Sequence, residues 1–91
     1  MRILDIRPAR KPGGGQVRLI ANFDLELDDN VRMYDLKLME TFDGRRLVYS
    51  PNGNGGRRLA TFSPAMAAAI TEAATAKFRG HVTANGTTSQ N

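Results

Sequence analysis

The chain has no cysteine, no tryptophan and a single histidine, His81. These gaps exclude a disulfide framework, a thiolate zinc site, a thiol nucleophile and a multi-histidine metal centre. Aromatic residues are sparse at 7%, so a broad base-stacking platform is not written into the composition. No apolar run approaches the roughly 18 residues of a membrane span. The opening Met1-Arg2-Ile3-Leu4-Asp5 meets charge too soon for a signal peptide, and the expectation is a cytoplasmic protein. Length is also scarce: 91 residues make one domain at most. A chain this short buries only about two-thirds of its unfolded surface, so its core is thin and a second subunit would help. Most cofactor enzymes are excluded by size.

Charge of either sign is modest. Thirteen Lys plus Arg against nine Asp plus Glu leave +4. The first half is nearly neutral, whereas the second carries Arg57, Arg58, Lys77 and Arg79 against Glu72 alone. Any polyanion-binding surface must therefore come from how the charges are arranged rather than from their total. Arginine outnumbers lysine, which suits bidentate phosphate contacts and serves ordinary surface ion pairs equally well.

The clearest pattern is a period of two. Val17, Leu19, Ala21, Phe23, Leu25 and Leu27 alternate with Arg18, Ile20, Asn22, Asp24, Glu26 and Asp28, which predicts a long half-buried β-strand. Asp28-Asp29-Asn30 is turn chemistry, because short Asp and Asn side chains tolerate the left-handed backbone of a tight hairpin. A second strand follows from Val31 to about Glu40. Its apolar phase shifts by one between Met33 and Tyr34, which predicts a β-bulge there.

Asp43-Gly44 marks another hairpin, with both residues able to supply the positive φ angles of a type I′ turn. It leads to a strand from Arg46 to Tyr49. Ser50 to Gly56 is a loop, and Arg57 to Phe62 resumes extended structure. The N-terminal strand, Arg2 to Arg7, is expected to face Leu4 and Ile6 inward, and Lys11 to Gly15 joins it to the long strand.

One helix is expected at the C-terminus. Ser63 is a good N-cap, Pro64 suits the first helical position and Gly80 can close the end. Met66, Ala69, Ile70, Ala73, Ala74 and Phe78 form its apolar stripe, and Lys77 and Arg79 complement its negative end. Small polar residues follow, and disorder is expected over 81–91. The predicted fold is α+β, a five-stranded antiparallel meander with one C-terminal α-helix packed on it, the domain spanning 1–80.

Motifs for small-molecule chemistry are absent. No Gly-Lys pair exists for a P-loop, and neither glycine-rich loop leads into a helix as a dinucleotide fingerprint requires. His81, in a polar tail, is ordinarily just solvated. Asp24, Glu26 and Asp28 could converge on a cation, yet Arg18, Arg32 and Lys37 offer cross-strand partners first. No nucleophile, base and orienting group assemble into a catalytic set. No enzyme activity, metal or small-molecule cofactor is expected.

The arginines at loop ends are more informative. Arg45 and Arg46 flank one hairpin tip, and Arg57 and Arg58 end the second glycine-rich loop. Arg7, Arg10 and Lys11 approach the other such loop. Flexible loops bearing arginine can follow a phosphate backbone. Equally, arginines collect at solvated strand ends, and Tyr34, Phe42 and Tyr49 are no more committed to base stacking than to sheet packing.

Several segments together resemble the stage V sporulation protein G (SpoVG) family. They are Ile3-Leu4-Asp5-Ile6-Arg7, Arg18 to Leu25, Met33 to Glu40, and Leu59-Ala60-Thr61-Phe62-Ser63-Pro64. The resemblance covers about residues 1 to 79. It implies a small bacterial homodimer that binds DNA or RNA and regulates gene expression. The family's basic segment between the fourth and fifth strands is shortened here to the glycine-rich Asn52 to Gly56, and its acidic tail is replaced by an uncharged one. The expected nucleic-acid contacts are Arg57 and Arg58, with Arg45, Arg46, Lys77 and Arg79 adding positive potential. The alternative is a protein-interaction module using a sheet edge or helix face.

Overall fold

The computed structural model describes residues 1–9, 16–51 and 60–84. Four strands, β1 (Arg2–Pro8), β2 (Val17–Asp28), β3 (Val31–Thr41) and β4 (Arg46–Tyr49), precede one helix, α1 (Pro64–Ala84). The strands form an antiparallel sheet in sequence order, β1-β2-β3-β4. The helix packs on one face against β1, β3 and β4. This is the expected α+β meander with four strands instead of five among the described residues. Of the fifth strand expected over Arg57 to Phe62, Ala60, Thr61 and Phe62 are not in a strand, and 57–59 lie outside the described residues.

Bulges decide which side chains reach the core. At β2–β3 the pairs Phe23↔Leu36 and Leu25↔Met33 enclose one residue of β2 but two of β3, Tyr34 and Asp35. The bulge expected from the phase shift is therefore present. Asp35 adopts φ 63°, the left-handed conformation. It is held there by Asn22, whose Nδ2 donates to Asp35 Oδ1 at 3.0 Å, and by its own N–H, which donates to Asp24 Oδ1 at 2.9 Å. A second register shift inserts Ile20 between Leu19 and Ala21. Ile20 is consequently buried beside Ala21, while Val17 is exposed and Leu19 half-buried, contrary to simple alternation.

A third shift, in β1, corrects another expectation. Leu4 is the inserted residue between Ile3 and Asp5, so the inward positions are Ile3 and Ile6 rather than Leu4 and Ile6. Two residues bulged against one partner reverse the parity of everything beyond them.

Both hairpins use chemistry other than paired left-handed residues. Asp28 Oδ1 accepts from the N–H groups of Asn30 and Val31 at 2.7 and 3.0 Å, an Asx turn in which none of the three central residues has positive φ. In the β3–β4 hairpin only Gly44 is left-handed, at φ 90°. The Gly44 N–H donates to Thr41 O at 3.0 Å and the Thr41 N–H to Arg45 O at 2.8 Å. That is a three-residue loop with a glycine bulge, in place of the expected type I′ turn.

Ser63 caps the helix as predicted: its Oγ accepts from the Met66 N–H at 3.2 Å. The expected end at Gly80 is not observed, since α1 continues to Ala84 and takes in His81. Glycine stops a helix when it turns left-handed, and Gly80 does not. Ile70 and Ala74 of the helix stripe are fully buried against Phe23, Leu25, Leu36 and Leu38, with Met66, Ala73 and Phe78 at the margins. Ala69, expected in the stripe, is exposed. No helix among the described residues is long and apolar enough to cross a membrane.

Candidate nucleic-acid interface

The bulge at Ile20 also determines where charge gathers. Beyond it Arg18 pairs with Glu40, and Glu40 with Arg46. Glu40 shares the strand face of Leu36 and Leu38, both fully buried under the helix. A row of three charged residues, Arg18, Glu40 and Arg46, thus crosses β2, β3 and β4 on the helix side at one end of the sheet.

Glu40 is held from both sides. Arg18 Nη2 donates to its Oε1 at 2.7 Å and Arg46 Nε to its Oε2 at 3.2 Å. These two hydrogen bonds, that from Arg18 foremost, outweigh partial burial and hold the carboxyl below its ordinary range. Arg46 in turn lies over Phe78 of α1, its Cζ 5.3 Å from the ring centroid. Its Nη1 is buried without a hydrogen-bond partner among the described residues. Packing a guanidinium on an aromatic face offsets part of that loss electrostatically.

The Arg46–Phe78 contact joins two segments distant in sequence. Of the six expected site residues, Arg46 makes this contact, Arg45 precedes it in sequence, and Lys77 and Arg79 flank Phe78 in the helix. Arg45 is exposed, and its Nε sits 3.2 Å from Asp43 Oδ2. Lys77 and Arg79 are exposed and make no ion pair with any described residue. Arg57 and Arg58, the two primary expectations, lie outside the described residues, as do Arg10 and Lys11.

Elsewhere among the described residues the arginines are occupied. Arg7 bonds Asp5 and Asp24 at 2.7 and 3.2 Å and approaches Asp35. Glu26 takes Arg2 at 2.9 Å and Arg32 at 3.1 Å. The polar strand face is therefore a lattice of cross-strand ion pairs. Asp24 stays below the ordinary aspartate range chiefly through its hydrogen bond from Arg7, then that from the Asp35 N–H. Among the described residues no three His, Asp or Glu side chains converge as metal ligands.

The helix-free face has a different character. Leu38 and Val48 point to the core, so Lys37, Met39, Leu47 and Tyr49 beside them face outward. With Leu19, paired to Met39, they form an apolar strip edged by Val17 and by Phe42, which is 82% exposed at the hairpin tip.

Sequence reasoning did not place Arg18 and Glu40 in the cluster. Simple alternation puts Arg18 on the solvent face, and only the inserted Ile20 turns it toward the helix. Compared with family models, curated proteins and solved structures, the chain matches none of them.

Proposed function

We propose that this chain is a non-catalytic, nucleic-acid-binding regulatory protein of the bacterial cytoplasm, acting on DNA or RNA as a homodimer. The reading rests on the Arg46–Phe78 contact, which draws Arg45, Arg46, Lys77 and Arg79 to one end of the molecule. Arg18 joins Arg46 there, the two sharing Glu40, while Arg45 pairs with Asp43 and Glu72 lies beside Arg46 in the groove between β4 and α1. The resemblance of the strand segments to the SpoVG family supports the reading independently. The exposed strip of Leu19, Met39, Leu47 and Tyr49 suits burial against a second copy.

The test is binding to random DNA and RNA across a salt series. A steep loss of affinity with salt is expected, since each neutralised phosphate releases condensed counterions. Replacing Arg57 and Arg58, or Arg45 and Arg46, with Ala should weaken binding while the fold persists by circular dichroism. Unchanged affinity in both double variants would remove these residues from the interface. Light scattering at micromolar concentration should return a dimer, and a monomer there contradicts that part of the proposal.

A second reading, a protein-interaction module, is favoured by one observation. An open groove of about 490 Å³ runs between β4 and α1, lined by Val48, Tyr49, Pro64, Ala67 and Thr71 among others. A strand edge beside a small-residue helix face can take an extended peptide. No nucleic-acid binding at low salt by a clean dimer would favour this reading.

A further inference from the structure

We infer that Arg18 and Arg46, the latter over the ring of Phe78, form a phosphodiester subsite that the free protein fills with its own Glu40 carboxylate. The inference rests on the nucleic-acid reading above and goes beyond it. It adds Arg18 to the interface and makes Glu40 the residue that sets its affinity.

The geometry is that of two cations sharing one anion. Each carboxylate oxygen of Glu40 takes one guanidinium, at 2.7 Å from Arg18 and 3.2 Å from Arg46. A phosphodiester presents two non-bridging oxygens in a similar fork, which arginine pairs grip well. Access is from the Arg18 side, where that side chain is 48% exposed against 18% for Glu40 and 23% for Arg46. Phe78 supports Arg46 from beneath, so the guanidinium stays in place when its anion changes. A phosphate entering here displaces Glu40 instead of adding to free cations. Wild-type affinity is therefore held down by an internal competitor.

The experiment is fluorescence anisotropy on the full chain, with labelled oligothymidylate of about 20 nucleotides and a mixed-sequence duplex of about 20 base pairs. Glu40→Gln keeps the size and one acceptor oxygen but removes the charge. It should bind both probes about fivefold more tightly at low salt. Arg18→Gln should bind more weakly and lower the duplex salt slope by about 0.9, the value of one phosphate contact. In wild-type protein, the Arg46 Nε–H NMR resonance should move on adding oligonucleotide as its Glu40 bond is exchanged.

Wild-type binding with a folded Glu40→Gln that binds no tighter overturns the subsite and leaves the nucleic-acid reading standing. Absence of binding by both proteins at low salt overturns the two together. If Glu40→Gln does not fold, the wild-type resonance decides, and no movement at saturation overturns the subsite. Movement with inorganic phosphate alone and none with oligonucleotide overturns the phosphodiester assignment.

Discussion

Arg46 Cζ lies 5.3 Å from the centre of the Phe78 ring, and this contact fastens the start of β4 to the C-terminal half of α1. Phe78 also packs against the margin of the core. Phe78→Ala should destabilise the protein by about 2 kcal/mol, below the range for a fully buried phenylalanine. Phe78→Leu keeps most of the apolar burial and loses only the ring face, costing about 1 kcal/mol. Urea midpoints separate the two. Equal stability of wild type and both variants would mean that the contact holds nothing.

Asp35 tests the bulge. A β-branched side chain at φ 63° is strained, so Asp35→Val should lose about 2 kcal/mol. Asp35→Gly removes the Cβ strain together with the Asn22 hydrogen bond and should stay within about 1 kcal/mol of wild type. Thermal melts of the pair give the comparison, and a valine variant as stable as the glycine one would contradict the assigned backbone.

Gly80 tests the length of the helix. It lies inside α1 without positive φ, and an added Cβ would meet no atom within 4 Å. Gly80→Ala should therefore stabilise by about 0.5–1 kcal/mol through helix propensity and reduced unfolded-state entropy. Chemical denaturation measures this directly. A helix that ended in a left-handed Gly80 would respond with a loss.

Acid should unfold the protein through its paired carboxylates. Asp24, Glu26, Glu40 and Asp43 all lie below their ordinary values of 3.8 for Asp and 4.5 for Glu, held down by hydrogen bonds from Arg7, Arg32, Arg18 and Thr41 respectively. Between the native and unfolded pKa values the unfolded chain binds more protons. Stability from these groups is thus present above about pH 4.5 and lost as pH falls through the native values. Melting temperature followed from pH 7 to pH 2 should be level at first and decline below about pH 4.5. A level curve down to pH 3 would mean that these pairs contribute nothing.

Local signals carried much of the fold. Alternation marked β2, turn residues marked both hairpins, and Ser63-Pro64 marked the start of α1. The phase change at Met33-Tyr34 even located a bulge, because there the apolar pattern itself slipped. At Ile20 and Leu4 no slip is visible: a leucine or isoleucine fits either parity, so the inserted residues are silent in the sequence. The Arg45-Arg46 and Lys77/Arg79 segments were legible as basic. Their meeting was not, since it depends on how α1 crosses the sheet.

The sequence by itself determined the order of the four described strands and the helix after them, strand polarity and the near-neutral balance of the first half, all properties of neighbouring residues. Tertiary structure alone decided how the arginines are paired among the described residues. A one-residue insertion at Ile20 turns Arg18 from the solvent face to the helix side, and packing then brings Phe78 beneath Arg46. Ion pairing depends on distances of a few ångströms across strands, and register rather than composition fixes those distances.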